Sequence, residues 1–300
     1  MIGGRLGKLP PVLKDSNHFI FTTLPIIRSA MSSPVSARIF CDAHVHIYDC
    51  FDLDHFLDCA WSNFSGLAES RHLPDDFQGV LMLTEGKTAH WFEKLRDSQV
   101  SLQRWTVQNT EEADSVVATD INHRQILIIN GRQIVTSENL EVLGLAIDSE
   151  LPDGKPMAEV VKWVNRQNGI PVIPWGFGKW WGRRGRFLTS YLDSIPTNEL
   201  YLGDNGGRPW FLGTPRHFKQ ALNDQRRILP GSDPLPFPGE ECRAGSVGFF
   251  FEGKLDIPTP STSLRSYLRN QNTELYNYMT CESLIPFVRN QTRMQIKNRF

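Results

Sequence analysis

Two histidines separated by a single residue, His44 and His46, are the side chains best spaced for chemistry. On an extended chain residues i and i+2 face the same side, so both imidazoles can grip one ion. Imidazole nitrogen suits Zn, Mn or Fe, with carboxylates completing the shell. The plainer alternative is a pair of histidines satisfied by neighbours in a polar core. Carboxylates also fall where other apolar runs end: Glu85, then Asp148 and Glu150, then Asp204 beside Asn205, then Asp233. Each alone reads as a helix N-cap, the common job of such a residue after a strand. As a set converging on His44 and His46, they read as one polar site.

A second group lies in residues 176–186, where glycines alternate with Lys179, Trp180, Trp181, Arg183 and Arg184. Glycine permits close backbone approach, and Lys and Arg offer donors suited to phosphate or carboxylate. The expectation is a lid over an anionic ligand, with the tryptophans stacking on a planar group. A surface loop with solvated arginines is the alternative. Basic residues among aromatics also fit single-stranded nucleic acid, but a formal net charge of −1 makes nucleic acid an unlikely partner. Arg208, in the glycine-rich stretch 203–209, is a further anion-binding candidate. Cys242 as a nucleophile would need a base, and no histidine lies near it in sequence. His55, His72, His90, His123 and His217 have no paired spacing and default to surface or core roles.

These groups need strands to deliver them. Residues 37–42 and 79–84 read as short buried strands, 89–96 as a helix and 100–107 as a third strand. Asn130-Gly131, between two apolar runs, is a strong hairpin signal. Residues 140–147 form an apolar strand. Residues 156–168 form a helix with Val160, Val161 and Val164 on one face, stopped by Gly169, and 170–175 a strand. Strands at 199–203 and 227–229 flank a helix at 215–224. This alternation predicts parallel strands with right-handed crossovers. The expected fold is an α/β distorted TIM-like barrel of seven or eight units, one domain with an inserted β-hairpin, with the site at its mouth. The barrel spans residues 37–262, between a poorly ordered extension (1–36) and a helical, basic appendage (263–300).

The composition agrees with a globular chain: 300 residues, 40% hydrophobic and 22% charged. Five cysteines without a C-x-x-C pair point to reduced thiols in a cytoplasmic protein, with thiolate ligation near the histidines a lesser reading. No run reaches the roughly 18 apolar residues of a membrane span. Nothing in the sequence sets the oligomeric state.

Asp42-Ala43-His44-Val45-His46 and Leu229-Pro230-Gly231-Ser232-Asp233 resemble the D-x-H-x-H and G-S-D-x-H signatures of the polymerase-and-histidinol-phosphatase (PHP) family, metal-dependent phosphoesterases on a distorted barrel and close to amidohydrolases. The sequence departs from that pattern at Glu85-Gly86, at Ala146, at Pro174-Trp175, and at Asp233-Pro234-Leu235, which lacks the final histidine. The resemblance implies a hydrolase with one divalent ion, Zn or Mn, on His44, His46 and Asp233. Asp233 would be ligand or general base, and Glu85 or Asp204 a second acid/base. Lys179, Arg183, Arg184 and Arg208 would bind a small anionic substrate, a phosphoester ahead of a C–N bond. The alternative is a degenerate, non-catalytic barrel that binds an anionic ligand or a protein partner.

Overall fold

The computed structural model describes residues 37–73 and 76–297. The chain opens with β1 (Arg38–Val45), α1 (Leu53–Ser70), β2 (Phe77–Leu83) and α2 (Trp91–Arg96). Five strands follow with no helix between them: β3 (Trp105–Asn109), β4 (Ser115–Asp120), β5 (Gln125–Ile129), β6 (Gly131–Val135) and β7 (Glu141–Leu145). Helices and strands then alternate through α3 (Met157–Arg166), β8 (Ile170–Pro174), α4 (Gly182–Ser194), β9 (Tyr201–Gly203) and α5 (Arg216–Asn223). The last elements are β10 (Gly248–Glu252), α6 (Pro260–Arg269), β11 (Tyr276–Tyr278) and α7 (Leu284–Lys297).

Two open sheets result, not the barrel expected from sequence. One has the order β11-β10-β1-β2-β5-β4-β3 and the other β6-β7-β8-β9. The physical reason lies in the connections. A parallel barrel needs a crossover after every strand, whereas the chain from β3 to β7 carries only short links. Consecutive strands there pair antiparallel, β3 with β4, β4 with β5, and β6 with β7. β10 also returns antiparallel to β1. Parallel pairing survives between β1 and β2, β2 and β5, and β8 and β9.

Asn130-Gly131 is likewise not a hairpin turn; it carries the chain from the first sheet to the second. Its glycine serves close approach. A Cβ at Gly131 would lie 2.5 Å from the Leu83 carbonyl oxygen and 2.7 Å from that of Gly144. Backbone bonds from Glu85 N to Gly131 O (3.0 Å) and from Gln133 N to Glu85 O (2.8 Å) stitch the sheets together there.

Alternation along β1 divides the core. Ile39, Cys41 and Ala43 share a cluster with Leu143, Leu145 and Val172 of the second sheet. Phe40, Val45 and Ile47 pack instead with Phe56, Leu57 and Phe64 of α1. The odd-numbered residues change sides because the β1–β2 register shifts between Asp42 and Val45. A bulge of this kind re-aims the side chains beyond it, and it turns His44 and His46 toward the second sheet.

α1 starts at Asp52, whose carboxylate accepts from His55 N at 3.1 Å, an N-cap bond. α6 places Leu264 and Leu268 in the cluster shared by the two sheets. Cys59 and Cys242 are disulfide-bonded, which corrects the expectation of reduced thiols, while Cys41, Cys50 and Cys281 are free. No helix of the described residues is long and apolar enough to cross a membrane. The extension expected over residues 1–36 lies outside the described residues.

Candidate metal centre

His44 and His46 leave the bulge at the end of β1 with 5% and 9% exposure. Their Nε2 atoms are 3.0 Å apart. Asp233 Oδ1 lies 3.5 Å from His44 Nε2 and 3.6 Å from His46 Nε2. Three donors around one ion at about 2.0–2.1 Å would stand about 3.4 Å from each other in tetrahedral geometry. The observed triangle fits that spacing, and two imidazoles with a carboxylate suit a zinc- or manganese-type ion.

The three side chains arrive from distant parts of the chain, and the backbone explains how. Residues 228–233 run between β9 and β1: Gly231 N donates to Asp204 O (2.9 Å), Ala43 N to Pro230 O (3.1 Å) and Asp233 N to His44 O (2.8 Å). Only glycine fits at 231, where a Cβ would sit 2.2 Å from His44 N. Asp233 itself has a φ of 48°, in the left-handed region. Its Oδ2 accepts from Asn205 Nδ2 at 3.0 Å, and the same amide donates to Trp175 O at 2.8 Å. From the second sheet, Gln133 Oε1 stands 3.3 Å from His44 Nε2.

Beneath them lies Asp42, fully buried. Its carboxylate accepts from Ser232 N (2.8 Å), Gly245 N (2.8 Å) and His44 N (3.3 Å). Burial pushes its pKa up to about 6, against the pull of those N–H groups.

The electrostatics favour ligation. Burial, then the neighbouring His44, push His46 down to about 4, so its ring is neutral at pH 7. Burial would raise Asp233, but His44, His46, Arg243 and Lys179 together hold its carboxyl below the usual range. His46 therefore offers an imidazole lone pair and Asp233 an ionised carboxylate, protonation states that a metal requires. Tyr48 stands at the rim; burial, Asp233, Cys50 and Glu141 all push its hydroxyl up.

The other residues singled out in sequence are placed elsewhere or are already partnered. Glu85 is buried and binds Phe92 N (2.8 Å) and Arg132 Nη1 (3.1 Å), not the histidine pair. Burial raises its pKa, with Phe92 N–H and Arg132 opposing. Asp204 forms a two-pronged ion pair with Arg208, both contacts at 2.8 Å. Arg208 also donates to Gly213 O at 2.9 Å. Asp148 accepts from Arg96 at 3.3 Å, and Glu150 pairs with Arg132 at 2.8 Å. The 176–186 stretch is half loop and half the start of α4. Lys179 pairs with Glu141, Arg184 donates to the carbonyls of Asn139 and Gly178, and Arg183 is exposed. Trp180 is buried against His217 and Phe218, while Trp181 is 53% exposed.

Sequence reasoning missed Gln133 and Asp42 as parts of this centre. Asp42 had a usable signal, standing two residues before His44 in the quoted motif; Gln133 had none. Two further groups of potential ligands occur among the described residues: His90, Glu93 and Glu150 at the surface, and His55, Cys59 and Cys242.

No protein-family model and no curated protein matches the sequence. Among solved structures, PsfC from Pseudomonas syringae PB-5123 is similar over 86% of this chain and 98% of its own, with 12% identity and a TM-score of 0.50. Endonuclease Q, solved with a 27-mer duplex substrate bearing an abasic lesion at the active site, overlaps 78% of this chain and 56% of its own, with 12% identity and a TM-score of 0.44. At such identity a likeness concerns the fold alone.

Proposed function

We propose that this chain is a PHP-like, metal-dependent hydrolase of small anionic substrates, a phosphoester foremost, using one divalent ion of the zinc or manganese class. The carrying observation is the triangle of His44 Nε2, His46 Nε2 and Asp233 Oδ1, with edges of 3.0, 3.5 and 3.6 Å.

His44 and His46 would hold the ion with neutral rings. Asp233 would hold it through Oδ1, because Asn205 already engages Oδ2; this favours ligand over general base. Gln133 Oε1, 3.3 Å from His44 Nε2, would add an oxygen donor beside the ion. Lys179 and Arg243 act with their charges on Asp233, Lys179 while paired with Glu141 and Arg243 while paired with Glu240 and Glu282. An ion at this position supplies Lewis acidity and lowers the pKa of a water toward about 7.

A second reading has one observation in its favour. Glu85 and Asp204, the expected acid/base partners, are each tied to a buried arginine. A protein that binds an anionic ligand through the same centre without turning it over accords with that.

Metal content and hydrolysis of p-nitrophenyl phosphate, measured with added Mn or Zn, test the proposal. The expected result is about one ion per chain at this centre and turnover that falls at least about 100-fold in His44→Ala and His46→Ala. Ion binding without turnover would select the second reading. Unchanged metal content in both variants would overturn the site.

A further inference from the structure

Away from that centre, His55 and Cys59 lie one turn apart on α1, a spacing that stacks side chains on one helix face. They face the 3-10 turn Glu240–Arg243, where Cys242 is disulfide-bonded to Cys59 with a Cα separation of 4.9 Å. His55 Nε2 stands 3.2 Å from Cys242 Sγ and 3.7 Å from Cys59 Sγ. A disulfide is complete in itself, and its sulfurs are weak acceptors. An imidazole nitrogen set against both of them is a third donor aimed at one point.

A tetrahedral ion with sulfur at about 2.3 Å and nitrogen at about 2.0–2.1 Å separates N from S by about 3.6 Å. Both N–S distances here lie near that value. We propose that, once the disulfide is reduced, Cys59, Cys242 and His55 bind one thiophilic divalent ion of the zinc class. The disulfide is then the oxidised, ion-free form of the same site. Reduction breaks the S–S bond with two electrons and two protons and yields two thiols. A dithiol supplies both and closes to its own disulfide, whereas a phosphine supplies the electrons and becomes its oxide, with the oxygen and the two protons coming from water. The ion displaces both thiol protons to solvent on binding.

The frame around the sulfurs does not depend on the bond between them. Asn63 Nδ2, one turn beyond Cys59 on α1, donates to Cys242 O (2.9 Å) and Ala244 O (2.8 Å). These bonds keep the 3-10 turn against the helix after reduction, so the sulfurs need only rotate apart. His55 is exposed and both cysteines are partly exposed, which leaves the fourth coordination position to water. Two thiolates and an imidazole form a softer donor set than His44, His46 and Asp233, so the two sites differ in the metals they favour.

Cobalt(II) separates the sites, because only thiolate ligands give an intense near-ultraviolet charge-transfer band. Full-length protein reduced with a phosphine and freed of it should develop this band with cobalt, and zinc should abolish it. The oxidised protein should not show it, and the reduced form should bind one more ion per chain than the oxidised form. The band should be lost in Cys59→Ser and Cys242→Ser, persist in His44→Ala/His46→Ala, and need at least tenfold more cobalt in His55→Ala. Equal ion counts in the two redox states would overturn the inference without any variant. A band that survives both serine substitutions would also overturn it, by moving the thiolates to other cysteines.

Discussion

The amide of Ser232 donates to Oδ1 of Asp42 at 2.8 Å, and this bond ties the segment bearing Asp233 to the strand bearing His44 and His46. The same carboxylate accepts from Gly245 N and His44 N. One fully buried side chain thus references three pieces of backbone to each other, and the ligand triangle inherits its dimensions from them. Asp42→Asn keeps the volume but leaves only one oxygen to accept. A buried N–H left unsatisfied costs about 1–3 kcal/mol. Urea unfolding should show a loss of that size, and zinc affinity should fall at least tenfold while His44, His46 and Asp233 are intact.

Gly231 supplies the clearance that this arrangement needs. A Cβ there would lie 2.2 Å from His44 N and 2.4 Å from His44 Cβ, backbone and side chain that cannot both yield. Gly231→Ala should destabilise the fold by about 1–3 kcal/mol, the range of a forced backbone shift in a packed interior. It should also abolish zinc binding at the His44/His46/Asp233 centre, read by competition with a chromophoric chelator. Retention of both stability and affinity would mean that the 228–233 segment is not held against β1 as described.

What the sequence revealed follows from the range of the interactions involved. β1, α3 and β8 were legible because their apolar runs and the stop at Gly169 are local signals. α1 was not, although Leu53, Phe56, Leu57, Ala60, Phe64 and Ala68 recur at helical spacing; Asn63, Ser65 and Gly66 between them obscure the pattern. The barrel expectation failed because strand direction in the β3–β7 region depends on short links that alternation alone does not register. Gly131 mimicked a turn residue while serving close approach, at a position without positive φ. In the candidate site, Asp233 follows a segment that meets β9 and its continuation only through isolated bridges, not the strand expected at 227–229, whereas His44 and His46 were visible as strand-end residues. The arginines that engage Glu85 and Asp204 were not, since no local pattern says which carboxylate a cation will choose.

Gln133 presents its Oε1 to His44 Nε2 at 3.3 Å from the opposite sheet. That nitrogen is the one placed to hold the ion and cannot also donate to the amide, so the Gln133 oxygen stands as a further donor to the ion itself, near the about 3.4 Å that separates two ligands on one tetrahedral ion. Gln133→Ala should therefore weaken zinc binding by about tenfold, with a thermal midpoint near that of the wild type. An unchanged affinity would remove Gln133 from the centre.

Asp54 offers a pH test away from the His44, His46 and Asp233 centre. Its carboxylate accepts from Gln103 N (2.7 Å), Arg104 N (2.8 Å) and Trp105 N (3.1 Å), joining α1 to the start of β3. Burial would raise its pKa, but the three N–H donors and Arg104 outweigh it and hold the carboxyl below its usual range. A folded-state pKa below the unfolded value gives stability that is present above the unfolded pKa, near 3.8. That stability is lost as pH falls from there through the folded pKa. Asp54→Asn should lower stability at pH 7 and flatten the acid limb of the unfolding free energy, measured by urea titration from about pH 2 to about pH 7. An acid limb as steep as in the wild type would place the responsible carboxylates elsewhere.

Arg208 separates a structural cation from a substrate-binding one. Its guanidinium spans both oxygens of Asp204 at 2.8 Å, donates to Gly213 O and is 8% exposed. Burial raises the pKa of Asp204 while Arg208 draws it back, so removing the cation strands a buried carboxylate. Breaking one side of such a pair typically costs about 3–5 kcal/mol. Arg208→Ala should therefore unfold in much less urea than the wild type. The double variant Arg208→Met/Asp204→Leu, which removes both charges, should recover most of that loss. In the double variant KM for an anionic substrate should be unchanged if the pair is structural. A large rise in KM with stability restored would show instead that Arg208 leaves Asp204 to meet the substrate.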